Sequence, residues 1–263
     1  MARVAAQLTN FTAGELSPRL DGRNDLSKYP AGCKTLENIV IYPHGAAARR
    51  PGTQFISEVK TNTAKTRLIP FEFSTTQTYV LEFGNQYMRV YKDKGRVETS
   101  PGTAFEISTP YLTAELFDIK FAQSADVMYL THPSHPTKKL SRTGHTAWTL
   151  TTVNFTNGPF LDSNISTTTL QPSGTSGSVT ITASASTFVS TDVDRLVRIG
   201  DGIAKITNFG SATSVTATTS TNFANTNAVT DWSLGAFSNT TGHPSCVTFF
   251  EQRLVFAATL NNP

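Results

Sequence analysis

Short stretches of alternating apolar and polar residues, separated by tight-turn sequences, follow a turn-rich start of the chain. Strands are predicted at 68–73, 78–83 and 87–91, and a fourth begins at Arg96. Aromatic and β-branched residues, which pack well on a pleated surface, are frequent in these stretches. Because only a few turn residues separate the stretches, we expect one antiparallel meander of four strands.

One stretch has helical spacing instead. Thr113 is a suitable N-cap for residues 113–121, and Leu112, Leu116 and Ile119 recur at intervals of four and three residues. The pattern predicts a short helix of about two turns.

The meander pattern then repeats. From Phe121, an aromatic strand end leads through a polar turn to a strand that ends at Leu130. A loop is predicted over 132–138, followed by strands at 139–142 and 148–153. We therefore expect a second meander built like the first.

Residues 247–256 start the same pattern a third time. The step from Phe73 to Phe121 is about 48 residues, and the step from Phe121 to Phe249 is again about 48 once a block of about 80 residues is set aside. A four-strand repeat of this length is typical of β-propeller blades. The sequence therefore predicts an all-β fold with propeller-like meanders.

The block that interrupts the repeat is rich in Ser, Thr, Asn and Gly. Its predicted strands are Ser178–Ala183, Leu196–Ile199, 203–207 and 214–218, with a hairpin turn at Gly200-Asp201-Gly202. Trp232 is the only tryptophan of this block, and we expect it to close a small core and not to stack on a ligand. The block is interpreted as an inserted small β-barrel or sandwich module.

These boundaries predict four regions. They are an N-terminal arm with the first strands at 1–66, propeller-like meanders at 67–159, the inserted β-module at 160–240 and the start of a further blade at 241–263. Because the third repeat stops soon after it begins, and a propeller needs at least about four blades to close, we expect the chain to be truncated.

The composition agrees with an all-β fold. Charged residues make up 16% of the 263 residues, below the usual quarter, so the polar surface must come from Ser, Thr, Asn and Gln, which favour strands and turns over helices. The net charge of +3 does not by itself indicate nucleic-acid binding. Apolar runs are too short for a membrane span, and Met1 to Thr12 has no signal-peptide pattern. Cys33 and Cys246 are expected to be free, buried thiols, although a disulfide between them stays open.

No motif in the sequence indicates catalysis or a cofactor. His132 and His135 are candidate metal ligands, but their loop contains no Cys, Asp or Glu, so a rigid proline-containing loop is favoured. The acidic residues of 192–194 and Asp201 lack the spacing of an EF-hand. Phosphate-binding loops and GxSxG elbows are absent from the sequence. We predict a protein that is not an enzyme, with no catalytic residue, no metal ligand and no cofactor, although paired carboxylates of a glycosidase meet only in space.

Basic residues form three groups, which are Arg19 with Arg23, Arg49 with Arg50, and Lys138 with Lys139 and Arg142. We interpret them as interface residues, because a planar guanidinium suits contacts with carboxylates and carbonyls of neighbouring chains. Contact with DNA phosphates is the alternative. Structural roles in turns and packing are predicted for Gly14, Pro18, Asn38, Pro51, Gly52, Trp232 and Pro244.

The N-terminal sequence resembles a known family. The residues that carry the resemblance are Asn10-Phe11-Thr12-Ala13-Gly14-Glu15-Leu16-Ser17-Pro18-Arg19-Leu20, Gly22 to Leu26, Tyr29, Gly32, Asn38, Pro43, Gly45 and Arg49-Arg50-Pro51-Gly52-Thr53. They resemble the start of nozzle proteins, also called tail tubular protein B, of short-tailed bacteriophages. Later phrases at 122–126, 132–133, 139–140, 232–238 and 242–256 are similar to the same family, and the resemblance is weakest in 160–230.

The resemblance implies a ring, expected to be a hexamer, below an adaptor ring under the portal. Its lumen would conduct the phage DNA and its flanks would hold fibres or spikes. It implies a location in the virion tail after synthesis in the host cytoplasm. Family members contain propellers and are longer than this chain, in agreement with the expected truncation.

Two other functions stay open. A virion-associated carbohydrate-binding or polysaccharide-degrading tail protein would use the 160–240 module to bind sugar, although most of its aromatic residues are needed for a core. A DNA-binding plug would require steeply salt-dependent binding.

Overall fold

Strands account for 45% of the chain in the computed structural model, about twice the share in an average globular protein. The predicted all-β class is confirmed. The structure describes residues 7–261, so part of the N-terminal segment in which we predict no signal peptide lies outside the described residues. Within 7–261, helical structure is limited to three short 3₁₀ turns, Pro18–Leu20, Tyr29–Ala31 and Ser190–Asp192. No helix in this range is long and apolar enough to cross a membrane.

Two compact units make up the fold, one reaching to Phe55 and the other starting at Ile56. The first unit contains strands β1 (Gly14–Glu15), β2 (Gly32–Cys33), β3 (Ile39–Ile41) and β4 (Ala47–Arg49). Strands β1 and β2 pair in parallel, and β3 and β4 form an antiparallel hairpin.

The predicted turn residues of the first unit include three with special backbone positions. Gly14 has a φ of +70°, which favours glycine. Pro18 opens the first 3₁₀ turn, where its missing N–H costs nothing. Asn38 has a φ of +58° directly before β3, a conformation that asparagine tolerates better than most residues. Pro51 and Gly52 are exposed and lie outside any strand.

The first meander of the second unit is present. Its strands are β5 (Arg67–Glu72), β6 (Thr78–Gly84), β7 (Tyr87–Lys92), β8 (Gly95–Arg96), β9 (Glu98–Ser100), β10 (Thr103–Ala104) and β11 (Glu106–Ser108). β5, β6 and β7 are adjacent and antiparallel, and both β8 and β11 pair with β7. The fourth predicted strand therefore begins near Arg96 but is short, because β9 and β10 form a separate small hairpin.

The predicted helix at 113–121 is wrong. Residues 113–118 form successive turns, and the next strand starts at Lys120. Leu116 and Ile119 are fully buried, but Leu112 is exposed. The Arg67 guanidinium donates hydrogen bonds of 2.7 Å to the carbonyls of both Leu116 and Ile119. These long-range bonds stabilise an irregular backbone that local spacing does not reveal.

The second meander forms a four-stranded antiparallel sheet in sequence order. Its strands are β12 (Lys120–Ser124), β13 (Val127–His132), β14 (His135–Gly144) and β15 (Ala147–Thr152). The predicted loop over 132–138 is wrong, because β13 and β14 extend until His132 pairs with His135. Only Pro133 and Ser134 connect the two strands.

The inserted module is one six-stranded sheet with neighbours in the order β16, β17, β20, β19, β18, β21. These strands are β16 (Leu170–Pro172), β17 (Ser178–Ala183), β18 (Leu196–Ile199), β19 (Gly202–Ser211), β20 (Ser214–Thr221) and β21 (Trp232–Leu234). Leu170 on one edge strand exchanges backbone hydrogen bonds with Val229, three residues before the other edge strand. The sheet therefore curls toward a barrel.

Trp232 packs against the core of this module, as predicted. Its indole Nε1 donates a 2.9 Å hydrogen bond to the Thr168 carbonyl. The hairpin turn at Gly200 and Asp201 is also confirmed, since Ile199 pairs with Gly202.

A final hairpin, β22 (Cys246–Phe250) and β23 (Arg253–Ala257), follows the module. Tyr129 of the second sheet packs edge to face against Phe249 and Phe256 of this hairpin. The opposite face of the second sheet shares one core with the first sheet, through Ile69, Phe71, Tyr79, Leu81, Phe83, Met88, Val90, Met128, Leu130, Leu140 and Trp148. Residues 56–261 thus stack two meanders and a hairpin, and a closed propeller stays a prediction.

Both cysteines are free, as predicted. Cys33 is half-buried, but Cys246 is exposed. The expectation of a buried thiol is wrong for Cys246, because it stands at the start of the last hairpin in a strand whose residues are mostly exposed.

Candidate functional sites

The basic residues of the first unit have different environments. Arg19 and Arg49 are exposed. Arg23 forms two hydrogen bonds with the Asp25 carboxylate, of 2.7 and 2.6 Å, and this pairing lowers the pKa of Asp25. Arg50 donates from Nε to the Asn38 side-chain oxygen at 2.6 Å and from its backbone N–H to the Asn38 carbonyl at 2.9 Å. Arg50 therefore fixes the base of the β3–β4 hairpin.

The third basic group lies on β14 but does not share one environment. Lys138 donates to the Thr152 hydroxyl at 2.8 Å and is half-exposed, as is Lys139. Arg142 is buried, so it is an internal bridge and not the exposed interface residue that the sequence predicts. Its guanidinium binds Asp126 at 2.8 Å and lies 4.0 Å from the centre of the Phe73 ring.

The first unit exposes several large apolar side chains and has almost no buried core. Gly45 is the one buried residue among residues 7–55. Ile39, Val40, Tyr42 and Phe55 are between 40% and 76% exposed. Hydrogen bonds and turns, and not a hydrophobic core, define this unit's conformation. Such a surface is typical of a segment that packs against a partner.

His132 and His135 lie in a small aromatic cluster with Tyr111. The ring centres of the two histidines are 5.0 Å apart, and Tyr111 packs against both. His135 hydrogen-bonds to the Glu115 carboxylate at 2.8 Å. Burial, joined by the neighbouring charge of His135, lowers the pKa of His132. Within residues 7–261 no group of three or more His, Cys, Asp or Glu side chains is arranged to hold a metal ion.

Glu115 is a partner that the sequence did not reveal, since it lies in the segment predicted to be helical. Burial favours its neutral form, but the Leu112 backbone N–H at 2.8 Å and the His135 ring favour the carboxylate, and the net effect is a lowered pKa. The Tyr111 hydroxyl and His132 Nε2 are buried without a hydrogen-bond partner among residues 7–261.

The starts of three strands converge on one recess. Arg67 of β5, Lys120 and Phe121 of β12, and Cys246 and Val247 of β22 line a cavity of about 290 Å³. Arg67 is held by the two carbonyls described above, and burial lowers its pKa. The first strand of each meander and the first strand of the final hairpin therefore face this recess. Two of these three strands, β5 and β12, place a basic residue there.

A larger groove of about 580 Å³ lies on the outer face of the first sheet. Glu82 is fully buried at this groove and accepts hydrogen bonds from the Tyr87 hydroxyl at 2.6 Å and the Tyr91 hydroxyl at 2.5 Å. Burial and the bond to Glu82 raise the pKa of Tyr91 to about 12. Leu68 and Val80 are exposed along the groove, at 63% and 41%.

A third cavity, which we call the module cleft, lies between the second sheet and the inserted module. It has a volume of about 260 Å³ and is lined by Thr137, Thr152, Asn154, Phe155, Asp194, Lys205, Phe237, Asn239 and His243, among others. The rings of Phe155 and Phe237 pack edge to face, with centres 5.1 Å apart. Because the lining comes from segments about 100 residues apart, only the fold assembles it.

His243 is the buried titratable group of the cleft. It is 9% exposed, and its Nε2 forms a 2.9 Å hydrogen bond with the Asn239 side-chain oxygen. Burial, with a smaller effect of His135, lowers the pKa of His243 to about 4. The ring is therefore neutral at pH 7. Pro244, which follows it, is buried, in agreement with its predicted packing role.

Scanned against models of protein families, the chain gives no match, and a search of curated proteins finds no similar sequence.

Proposed function

We propose that this chain is a structural component of a short bacteriophage tail, of the nozzle type, which acts by assembling into a ring. The sequence resemblance at 10–53 and in the later phrases supports this assignment. The ring is expected to be a hexamer that contacts the tail adaptor and the fibres or spikes and surrounds the DNA. The protein would be made in the host cytoplasm and reside in the virion, and the proposed role requires no catalysis.

One structural observation carries the proposal furthest. The first unit holds nearly all of the strongest resemblance and has almost no core, with apolar side chains of β3 exposed. Exposed apolar side chains cost about 25 cal/mol for each Å² that stays in water. A segment of this kind gains stability when a neighbouring chain covers it, as in a ring with head-to-tail contacts.

The test is the state of assembly. The chain is purified alone and mixed with adaptor protein, and its mass and shape are measured by sedimentation velocity and negative-stain electron microscopy. We expect rings. Val40→Lys places a charge on the exposed face of β3 and should disrupt them, whereas Ile165→Lys, at a fully exposed apolar residue of the second unit, is the matched control. A monomer at high concentration that binds neither adaptor nor tails would contradict the proposal.

The module cleft favours a carbohydrate-binding function as the second candidate. Asp194 is the one acidic residue among those that line it. Glycoside hydrolysis ordinarily requires two carboxylates that flank the bond. The cleft therefore supports binding more than cleavage of a polysaccharide.

A further inference from the structure

The module cleft is built by parts of the fold that have separate cores. Thr137 and Thr152 belong to the second sheet, Phe237 follows the last strand of the module, and Asn154 and Phe155 lie in the connection between them. Ligand sites form preferentially where two such substructures meet. Its volume of about 260 Å³ is just below the range of about 300–1,000 Å³ for small-molecule pockets, so it suits one small ring.

Polar groups of the cleft have unused hydrogen-bonding capacity. Asn154 is exposed and makes no side-chain hydrogen bond with the described residues. Asn239 is exposed as well, and only its side-chain oxygen is used, in the bond with the His243 ring. Both residues line the cleft, and their amide N–H groups, which have no partner among residues 7–261, can donate to a ligand there.

The charges of the cleft balance one another. Lys205 Nζ lies 2.8 Å from Asp194 Oδ1, and His243 is neutral at pH 7. No uncompensated charge is therefore offered to an anion such as phosphate, or to a cation. Hydroxyl, amide and aromatic groups remain, and they suit a ligand that carries many hydroxyls on an apolar ring.

We propose that the module cleft binds a neutral carbohydrate, with one saccharide ring against Phe155 and Phe237 and its hydroxyls on Asn154 and Asn239. This site adds a binding activity to the proposed structural role and does not depend on ring assembly. In a tail protein, it would provide contact with neutral glycans of a cell surface.

The experiment is saturation-transfer NMR of the whole chain with the methyl glycosides of glucose, galactose, mannose, rhamnose and N-acetylglucosamine, each at millimolar concentration. We expect transfer to at least one glycoside. Asn154→Ala removes an exposed amide and should weaken binding about tenfold, the usual effect of one lost hydrogen bond. Thermal unfolding checks that the variant is folded.

Asn208→Ala is the matched control, because Asn208 is an exposed asparagine of β19 outside the cleft. Its binding should equal that of the unchanged chain. Val40→Lys should also leave glycoside binding unchanged, even if it disrupts rings, so the two proposals fail separately. Absence of transfer to all five glycosides overturns the inference, as does unchanged binding by the folded Asn154→Ala variant.

Discussion

The stacked meanders and the inserted module bury their apolar residues in different ways. The core of the stack lies between two sheets and is rich in large aromatic residues such as Phe71, Tyr79 and Trp148. The module buries mainly Val, Ile and Ala on the concave side of one sheet, with Phe188 and Phe223 as the largest residues. The first core draws on about 80 residues, from Ile69 to Trp148, and the second on about 54, from Leu170 to Phe223. The same strand pattern therefore produces a core between two sheets in one region and a core inside one curled sheet in the other.

This comparison predicts that the two cores respond separately to damage. Phe71 is fully buried and packs edge to face on Trp148 at 4.8 Å. Phe71→Ala should reduce the free energy of unfolding of the stack by about 3–5 kcal/mol. The chain has two tryptophans, so each can be made the single fluorescent reporter of its region. In a Trp232→Phe background, the fluorescence of Trp148 reports on unfolding of the stack. In a Trp148→Phe background, the fluorescence of Trp232 reports on unfolding of the module.

In urea, Phe71→Ala should lower the urea concentration at the unfolding midpoint that Trp148 reports. The unfolding midpoint that Trp232 reports should stay nearly unchanged. Phe188→Ala, at 2% exposure in the module, is the reciprocal variant. Equal shifts of both reporters would show that the stack and the module unfold as one cooperative unit.

Each region also contains a buried arginine, and replacing the two should reduce the free energy of unfolding by different amounts. Arg195 of the module pairs at 2.8 Å with Asp192, and both side chains are at most 5% exposed. Arg195→Met would leave a buried carboxylate without its cation, which costs about 3–5 kcal/mol. Asp126, the partner of Arg142, is 41% exposed, so water can solvate it when Arg142 is replaced.

Arg142→Met should therefore destabilise the chain less than Arg195→Met, and urea unfolding of the two variants measures the difference. Asp192→Asn combined with Arg195→Met should recover part of the loss, because no charge stays buried. A larger effect at Arg142 would contradict this assignment of the two ion pairs.

Acid should act at the junction of the two regions, where His243 is buried, in addition to its effect on groups elsewhere such as His132. The pKa of His243 is about 4 in the folded chain and near 6.5 when unfolded. The unfolded chain binds the proton more readily between these values. The contribution of neutral His243 to the free energy of unfolding is therefore fully present above pH 6.5 and is lost as the pH drops toward 4. The loss is roughly 3 kcal/mol, at about 1.4 kcal/mol for each pKa unit.

His243→Gln retains a polar side chain but cannot titrate. Urea unfolding at pH 7 and pH 4.5 should show a smaller loss for this variant than for the unchanged chain. An equal loss in both would assign the acid sensitivity to other groups.

The sequence predicted local features well and non-local ones poorly. Ser178–Ala183 and Leu196–Ile199 have the predicted bounds, because alternation and turn residues determine a strand within a few positions. The helix at 113–121 failed because the bonds from Arg67 come from about 50 residues away. Arg142 likewise is buried by partners elsewhere in the chain, and the module cleft unites segments that no local pattern connects.

The smallest expected effect concerns the tryptophan of each region. Trp232 is only partly buried, and its acceptor, the Thr168 carbonyl, also receives a 3.1 Å hydrogen bond from Asn164. Trp232→Phe should therefore cost about 1 kcal/mol, since the acceptor keeps a partner. Trp148 is 5% exposed and contacts Phe71 and Tyr79, so Trp148→Phe should cost more by leaving a gap in a tightly packed core. Thermal unfolding of the two variants compares these costs, and a larger loss for Trp232→Phe would mean that the core of the module tolerates less change than the core shared by the two sheets.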